Sequence, residues 1–537
     1  MSEIDLNLIP LNNENENNED INLELPKKQK FTTMLQKSIN KNEVFKTLLD
    51  LANPIDFILK SDNQIAIDMK NELQYATDPK HIEILERKLE KQFPKPLQQY
   101  VIIIYELLEI SDNIGLSVGV TNNKIVFFNR KYWEEISNEE FTGFLGDFAE
   151  KSGLNPLEAQ QFKVKEFILK QFLITGIIPD FKDINKTTKI PFKNGTLTFE
   201  GGEISFGGFV KSDYLTYQLP FEFHANATSP LFEKYLNRVL PDIDLQKILF
   251  EFFGTIFLKD IKHEKILLLY GSGKNGKSVL HDVLHALLGE NNITSLSLAS
   301  LSDSKSQTRA LIENKLLNFS SEIGSTRNID LDMVKKLASQ EPVEIKEVYK
   351  QPYIMKKYAR LVFNCNTLPK DGENSDGFHR RFIIIPFSQI ISEDEIDLNL
   401  AKKIIENELP GIFNMIIEGM QRFKKQEKFT ASTVIKNEAD KYRREINSVL
   451  SFIDEENYII SDKQDMRISD FYQLYKHYCS SNGFYPFNSN KFNKQLREAG
   501  FKIDKKTGGY FYFFYDKKHS GIEDSAIILE ITKKNII

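Results

Sequence analysis

Apolar residues in this chain fall into two kinds of stretch. Short apolar runs bounded by polar or glycine-rich segments predict buried strands at 266–270, 315–322, 360–366 and 382–386. Apolar residues three and four apart predict helices. Leu280, Val283, Leu284, Leu287 and Leu288 make one face; Phe232, Tyr235, Leu236, Ile248, Leu249, Phe252 and Phe253 predict helix through 231–257. Buried strands interleaved with such helices make the middle of the chain α/β.

The pattern changes on either side. Helical periodicity dominates from about 31 to 175, with helices at 97–110 and 159–174 and a short strand over Lys124–Asn129. After Pro191, a turn at Lys193-Asn-Gly195 and strand patterns at 196–199 and 214–219 interrupt it. Near the C-terminus the order is a helix at 468–480, a helix at 488–499, then a hairpin over 501–514 turned at Thr507-Gly-Gly509. That order fits a winged helix. The expected organisation is an acidic disordered tail at 1–30 and a mainly helical N-terminal domain at 31–190. A strand region with a helical collar follows at 191–258, then an α/β core at 259–390. A helical segment at 391–445, a winged helix at 446–518 and a tail at 519–537 complete the chain.

Composition narrows the class. The 537 residues suffice for about three or four domains. No apolar run approaches the roughly 20 residues of a membrane span, and the acidic, Asn-rich start is not a secretory signal, so a cytoplasmic, membrane-free protein is expected. Cys365 and Cys479 are the only cysteines, which excludes a disulfide framework and a cysteine zinc cluster. The formal net charge is -6, so any basic surface must be local. The clearest candidate is the C-terminal module. There Lys491, Lys494 and Arg497 step along one helix face, and Lys502, Lys505 and Lys506 lie in the hairpin; this is a candidate DNA-contacting face. The basic-aromatic run Arg130-Lys-Tyr-Trp133 reads either as a second such surface or as a packed strand end.

The chemistry centres on Gly271-Ser272-Gly273-Lys274-Asn275-Gly276-Lys277-Ser278, which joins the first apolar strand to the Leu280 helix. It matches G-x-x-x-x-G-K-[ST], a P-loop. Glycines let backbone N–H groups curl around phosphates, Lys277 reaches the outer phosphates, and Ser278 can hold Mg²⁺. The overlapping Gly271-x-Gly273-x-x-Gly276 is also a dinucleotide fingerprint, but Lys-Ser after the last glycine belongs to ATP chemistry. His281-Asp-Val-Leu-His285 imitates a zinc-protease helix without its glutamate. Glu322 ends the second strand, where a carboxylate can hold Mg²⁺ or polarise water. Asn364 and Asn366 end the third strand on one face; Asn366, nearer the strand end, is the candidate for positioning the attacking water. Arg380 and Arg381 precede the fourth strand, where either could stabilise phosphoryl charge from a neighbouring subunit.

In order and spacing, the loop, Ser321-Glu322, Asn366-Thr-Leu-Pro369 and Arg380-Arg381 resemble superfamily 3 helicases, specifically the C-terminal half of phage and plasmid primases and poxvirus-type primase–helicases. Glu341–Lys346 with Tyr349-Lys350, and Glu408-Leu-Pro-Gly-Ile412, resemble flanking family motifs; Lys193–Leu197 and Tyr214–Gln218 resemble the preceding domain. Ser321 replaces a paired acid, and there is no paired-Asp primase centre, so primer synthesis is not expected. The resemblance implies an AAA+-like ATPase core with ATP and Mg²⁺ between subunits of a ring-shaped homo-oligomer, a hexamer, around DNA, working beside a separate primase. It also implies a hairpin at 344–355 whose Lys346 and Lys350 grip phosphates while Tyr349 packs on sugar or base. The expected activity is ATP-dependent DNA unwinding in replication of a phage, plasmid or integrated element. The alternative is an ATP-switched origin-binding initiator or loader that does not unwind.

Overall fold

The computed structural model describes residues 39–516 apart from 122–123, 179–186, 259–260, 304–305, 325–328, 347–351, 369–379, 483, 485 and 508. The expected tails at 1–30 and 519–537, and Tyr349 and Lys350, lie outside the described residues. Two compact units divide at residue 180. The expected boundary at 190 is too late, because Thr188–Phe192 is already a strand (β4) of the second unit, paired with Gly195–Glu200 (β5).

The first unit is not helical alone. Around helices α1 (Lys41–Leu51), α2 (Gln64–Tyr75), α3 (Pro79–Gln92), α4 (Pro96–Asn113), α5 (Asn138–Lys151) and α6 (Phe162–Thr175) it carries a three-stranded antiparallel sheet. Its strands are β1 (Val118–Thr121), β2 (Lys124–Phe128) and β3 (Trp133–Ile136). Sequence periodicity offered only the middle strand, since the outer two are four residues each. Trp133 is 2% exposed and its ring lies 5.6 Å from that of Phe128. Asn129 Oδ1 accepts from the N–H groups of Lys131 and Tyr132. The Arg130–Trp133 run is therefore a packed strand entry.

The second unit starts with the antiparallel sheet β4, β5 and β6 (Glu203–Gly207). Residues 214–219 were expected as a strand and form none. Tyr214 sits at φ 50°, and the segment is held to β4 by single bonds, Leu219 N–H to Pro191 O (2.8 Å) and Gln218 Nε2 to Phe192 O (2.9 Å). The helix expected through 231–257 is two, α7 (Pro230–Val239) and α8 (Ile243–Thr255), because Pro241 forces Leu240 out of the helical region.

The α/β core is a five-stranded parallel sheet in the order β13-β7-β12-β9-β8, with β7 Ile266–Tyr270, β8 Ile293–Thr294, β9 Leu317–Ser320, β12 Arg360–Cys365 and β13 Phe382–Pro386. Both faces are covered, which is why these strands read as unbroken apolar runs rather than alternating ones. Leu267, Leu269, Phe319, Val362 and Ile385 pack on one side against Leu280, Val283, Leu284 and Leu287 of α9 (Lys277–Leu288) and against α8 and α11 (Leu409–Gln426). Ile266, Leu268, Phe363 and Ile384 pack on the other, with Val334 and Leu337 of α10 (Leu331–Ala338). Two further contacts bind α11 to the helices before the sheet. Glu408 accepts from the N–H groups of Leu231 (3.0 Å) and Phe232 (2.8 Å) at the start of α7. Glu251 of α8, fully buried, accepts from Arg422 Nε (2.8 Å) and from Thr430 N (2.8 Å) and Oγ1 (2.6 Å), so its charge is compensated on every side.

After α12 (Thr433–Ile446) the chain forms α13 (Ser448–Glu455), β14 (Tyr458–Arg467), α14 (Ile468–Asn482), α15 (Ser489–Glu498) and the hairpin β15 (Ile503–Lys506) and β16 (Gly509–Asp516). Here β16 lies between β14 and β15. Phe452, Phe471, Tyr475, Phe492 and Tyr512, with Leu496, form its largely aromatic core.

Candidate nucleotide site

The site begins where β7 runs out. Gly273 (φ 106°) and Gly276 (φ 83°) take left-handed conformations that turn the chain back into α9. A Cβ on Gly276 would lie 2.7 Å from Val239 Cγ1, and one on Gly271 would lie 2.5 Å from Phe387 O, so both glycines are required by close approach. Tyr235 of α7 donates its hydroxyl to Gly276 O (2.8 Å), fixing the loop from below.

Inside the loop, Lys277 is 6% exposed and donates from Nζ to Gly271 O (2.7 Å) and Asn275 Oδ1 (3.0 Å). Asn275, equally enclosed, donates from Nδ2 to Phe387 O at 3.1 Å, just past β13. Burial lowers the Lys277 pKa, with the nearby Cys365 thiol opposing the shift; burial in turn pushes Cys365 up to about 12. Ser272, Lys274 and Ser278 are exposed. Lys274 pairs with Glu393 at 3.1 Å.

Register places the expected partners on the same edge of the sheet. Ser320 is level with Phe363, and Phe363 with Leu268. Glu322, two residues past Ser320, follows the end of β9 at this same edge of the sheet, one strand beyond β12. It is not in the strand, which ends at Ser320; the buried Ser320 hydroxyl accepts from Glu322 N–H and donates to Glu322 O (2.9 Å), setting the bend. Asn366 follows the end of β12 and is exposed, whereas Asn364 is 7% exposed. Strand alternation puts Asn364 on the α9 face with Val362, and its Oδ1 accepts no hydrogen bond among the described residues. A polar residue inside an otherwise apolar strand was the available signal for Asn364, and Ser320, which shapes the Glu322 bend, had none.

The arginines lie at the other end. Phe382 is level with Ile266 and Pro386 with Tyr270, so the start of β13 is about 16 Å from the loop edge at ~3.3 Å per residue. The pair divides there. Arg381 is buried, reaching Ser339 Oγ at 3.3 Å, while the Arg380 side chain is 62% exposed; both lie near Glu264, at 3.7 and 3.6 Å. The His281 and His285 rings lie 4.2 Å apart, tilted by 36°, with His281 against Phe319, and no group of three metal-ligating residues occurs among the described residues.

The remaining candidates are elsewhere. Lys346 is exposed at the end of β10 (Val343–Ile345), which pairs with β11 (Tyr353–Met355). In the C-terminal module Lys491 Nζ sits 4.0 Å over the Phe487 ring, Lys494 pairs with Glu498 (3.7 Å) and Lys506 with Asp465, while Lys505 and Arg497 are exposed. Two of the expected DNA-contacting lysines are thus already engaged by carboxylates.

Comparisons with known proteins cover these regions separately. Residues 269–381, from the end of β7 through Arg381, match a family of unknown function (DUF5906). Residues 119–241 match a domain described as D5 N terminal like. A protein of Acanthamoeba polyphaga mimivirus, named provisionally as a helicase, is 23% identical over 273 residues; the match takes in 46% of this chain and only 28% of that protein's length. Two apo structures of the NrS-1 C-terminal region align over 78% and 79% of this chain and all of theirs, at 14% identity, with TM-scores of 0.44 and 0.43. No helix among the described residues is long and apolar enough to cross a membrane.

Proposed function

We propose that the chain is an ATP-driven replication helicase with an AAA+-like core of the superfamily 3 type. The observation that carries this reading is the enclosed Lys277, held by its own loop at the edge of a parallel sheet where Glu322, Asn364 and Asn366 also end. The likeness to a viral protein provisionally named a helicase supports it. The residues fit Mg²⁺-ATP: left-handed glycines, an inward lysine, a hydroxyl at the first turn of α9 and a carboxylate after β9, two strands from β7. Bound there, ATP supplies the phosphoanhydride bond whose cleavage is the energy source.

The chain's own groups divide the work. Loop N–H groups and Lys277 hold phosphate charge, with Lys277 exchanging its bonds to Gly271 O and Asn275 Oδ1 for phosphate oxygens. Ser278 and Glu322 serve the metal, and Glu322 with the β12 amides orients water. Arg380 lies too far from its own loop to help, so it acts on a neighbouring subunit of a ring, a homohexamer in this reading; Arg381 is its structural support. The hairpin β10–β11, with Lys346 at its exposed end, and the C-terminal module, read as a winged helix, hold DNA. A separate primase would supply primers.

The test is ATP turnover with and without single-stranded DNA, run beside strand displacement on a forked duplex. Stimulated turnover with displacement, both lost in a folded Lys277→Ala variant, is expected. Turnover without displacement would favour an origin-binding initiator or loader. Unchanged turnover in Lys277→Ala would remove the loop from the mechanism.

A further inference from the structure

The C-terminal module holds a cleft of about 720 Å³ that the basic-helix pattern did not indicate. Its walls are Arg467 at the end of β14, Ser469 in the first turn of α14, Asn493 and Arg497 one turn apart on α15, and Tyr510 on β16; Ile503 lines its floor. The volume suits a nucleotide-sized group. We propose that this cleft binds one strand of a nucleic acid by its phosphodiester backbone, Arg467 and Arg497 bracketing phosphate and Tyr510 packing against the adjacent sugar or base. The proposal rests on the nucleic-acid reading above and adds Arg467 and Tyr510 to Arg497 of the basic helix.

Three features favour this occupant. Neither arginine has a carboxylate ion-pair partner among the described residues, whereas Lys494 and Lys506 beside them are paired. A guanidinium presents a planar fork that matches phosphate oxygens, and an unpaired one can do so without breaking an ion pair. Tyr510 leaves 55% of its surface exposed although it lies within a sheet, and an exposed ring beside cations is a sequence-tolerant stacking platform. The wall is also preset: the fully buried Tyr512 donates its hydroxyl toward Asn493 O (3.2 Å) and Oδ1 (3.1 Å), one helical turn before Arg497. The first turn of the 15-residue α14 adds its partial positive charge. One acid lies beside the cleft: Asp470 accepts from Ser469 Oγ at 2.9 Å. It does not outweigh the arginines in a segment, 458–516, with nine lysines and arginines against six acids.

The experiment is fluorescence anisotropy of the full chain with a labelled oligonucleotide, single-stranded and duplex, across about 50 to 200 mM salt. Arg467→Ala/Arg497→Ala should weaken binding at least about tenfold and flatten the log K against log salt slope by about 1 to 2. Arg467→Lys/Arg497→Lys should restore the slope but only part of the affinity, because the fork is lost. Tyr510→Ala should weaken binding with the slope unchanged. Thermal melts verify folding; if the double variant unfolds, Arg467→Ala alone, at an exposed residue, is read for half the slope change. Unchanged affinity and slope in a folded variant, or no binding by the wild type, overturns the cleft. Stimulated ATP turnover by the wild type is scored separately, so the motor reading can stand while the cleft falls, and the reverse.

Discussion

Asn364→Leu should make the protein more stable and a worse ATPase. The side chain is 7% exposed, and its Oδ1 lies in an apolar layer with no donor among the described residues. A buried acceptor left unmade costs about 1–3 kcal/mol, and leucine has nearly the same shape without the polar atoms. Part of the gain is lost to imperfect packing beside Val362 and α9, leaving about 1–2 kcal/mol. At roughly 2–4 °C per kcal/mol for a unit of this size, the melting temperature should rise by about 2–8 °C. If the amide helps orient water, losing it should cost about 1.4–2.7 kcal/mol of barrier, or 10- to 100-fold in turnover at saturating ATP. Asn364→Asp, equally isosteric, should move stability the other way by burying a charge. Calorimetry and steady-state ATP hydrolysis measure the two effects. A variant that is less stable than wild type, or equally active, would refute the argument that this amide is retained for chemistry at the expense of packing.

Other outcomes follow from the same geometry. His263 packs among Phe252, Phe423 and Phe429, accepts from Lys265 N–H at Nδ1 and lies 3.0 Å from Thr255 Oγ1, and desolvation holds its pKa well below the usual 6.5. The unfolded chain then binds a proton that the folded one refuses. Stability should be full above about pH 6.5 and fall as pH drops below it, by up to about 1.4 kcal/mol per unit, and His263→Phe should flatten that slope in urea titrations; an unaltered slope would refute it. Gly276→Ala forces a side chain into a left-handed residue 2.7 Å from Val239, so a loss of about 1–2 kcal/mol in urea unfolding and weaker binding of a fluorescent ATP analogue are expected; equal binding would mean the loop tolerates the shift. Arg380→Ala should keep the fold and lose turnover, and mixing it with Lys277→Ala should recover part of the rate. No recovery in verified mixed oligomers would place the arginine outside the neighbour's site.

What the sequence made legible was local. β7, its loop and the start of α9 could be placed because glycine spacing and one helical face lie within about two dozen consecutive positions. Non-local pairing could not be read this way. Residues 214–219 have the composition of a strand, but no ladder partner runs beside them, and composition alone does not register that. Pro241 breaks a helix whose apolar spacing runs straight across it. The candidate site was legible as a set of strand ends, yet the order β13-β7-β12-β9-β8, which decides that Glu322 and the amides share the loop's edge, depends on contacts far apart in the chain. The two arginines are adjacent and chemically identical; only burial against Ser339 separates a supporting residue from an available one.

The contact between Glu408 and the start of α7 also bears on how the protein is made. Phe232 and its carboxylate partner are 176 positions apart. At about 5–20 residues per second, a ribosome needs roughly 9–35 s to go from one to the other. For most of that interval the apolar side of α8 has been synthesised and its cover, α11, has not. The parallel sheet can form in the meantime, but the layer beneath it stays open until Thr430 reaches Glu251. Fragments that stop at the end of β13 should therefore be poorly soluble, and the shortest well-behaved piece should run from about 188 to beyond 430. During synthesis, the helices preceding the sheet are where a chaperone would have most to hold.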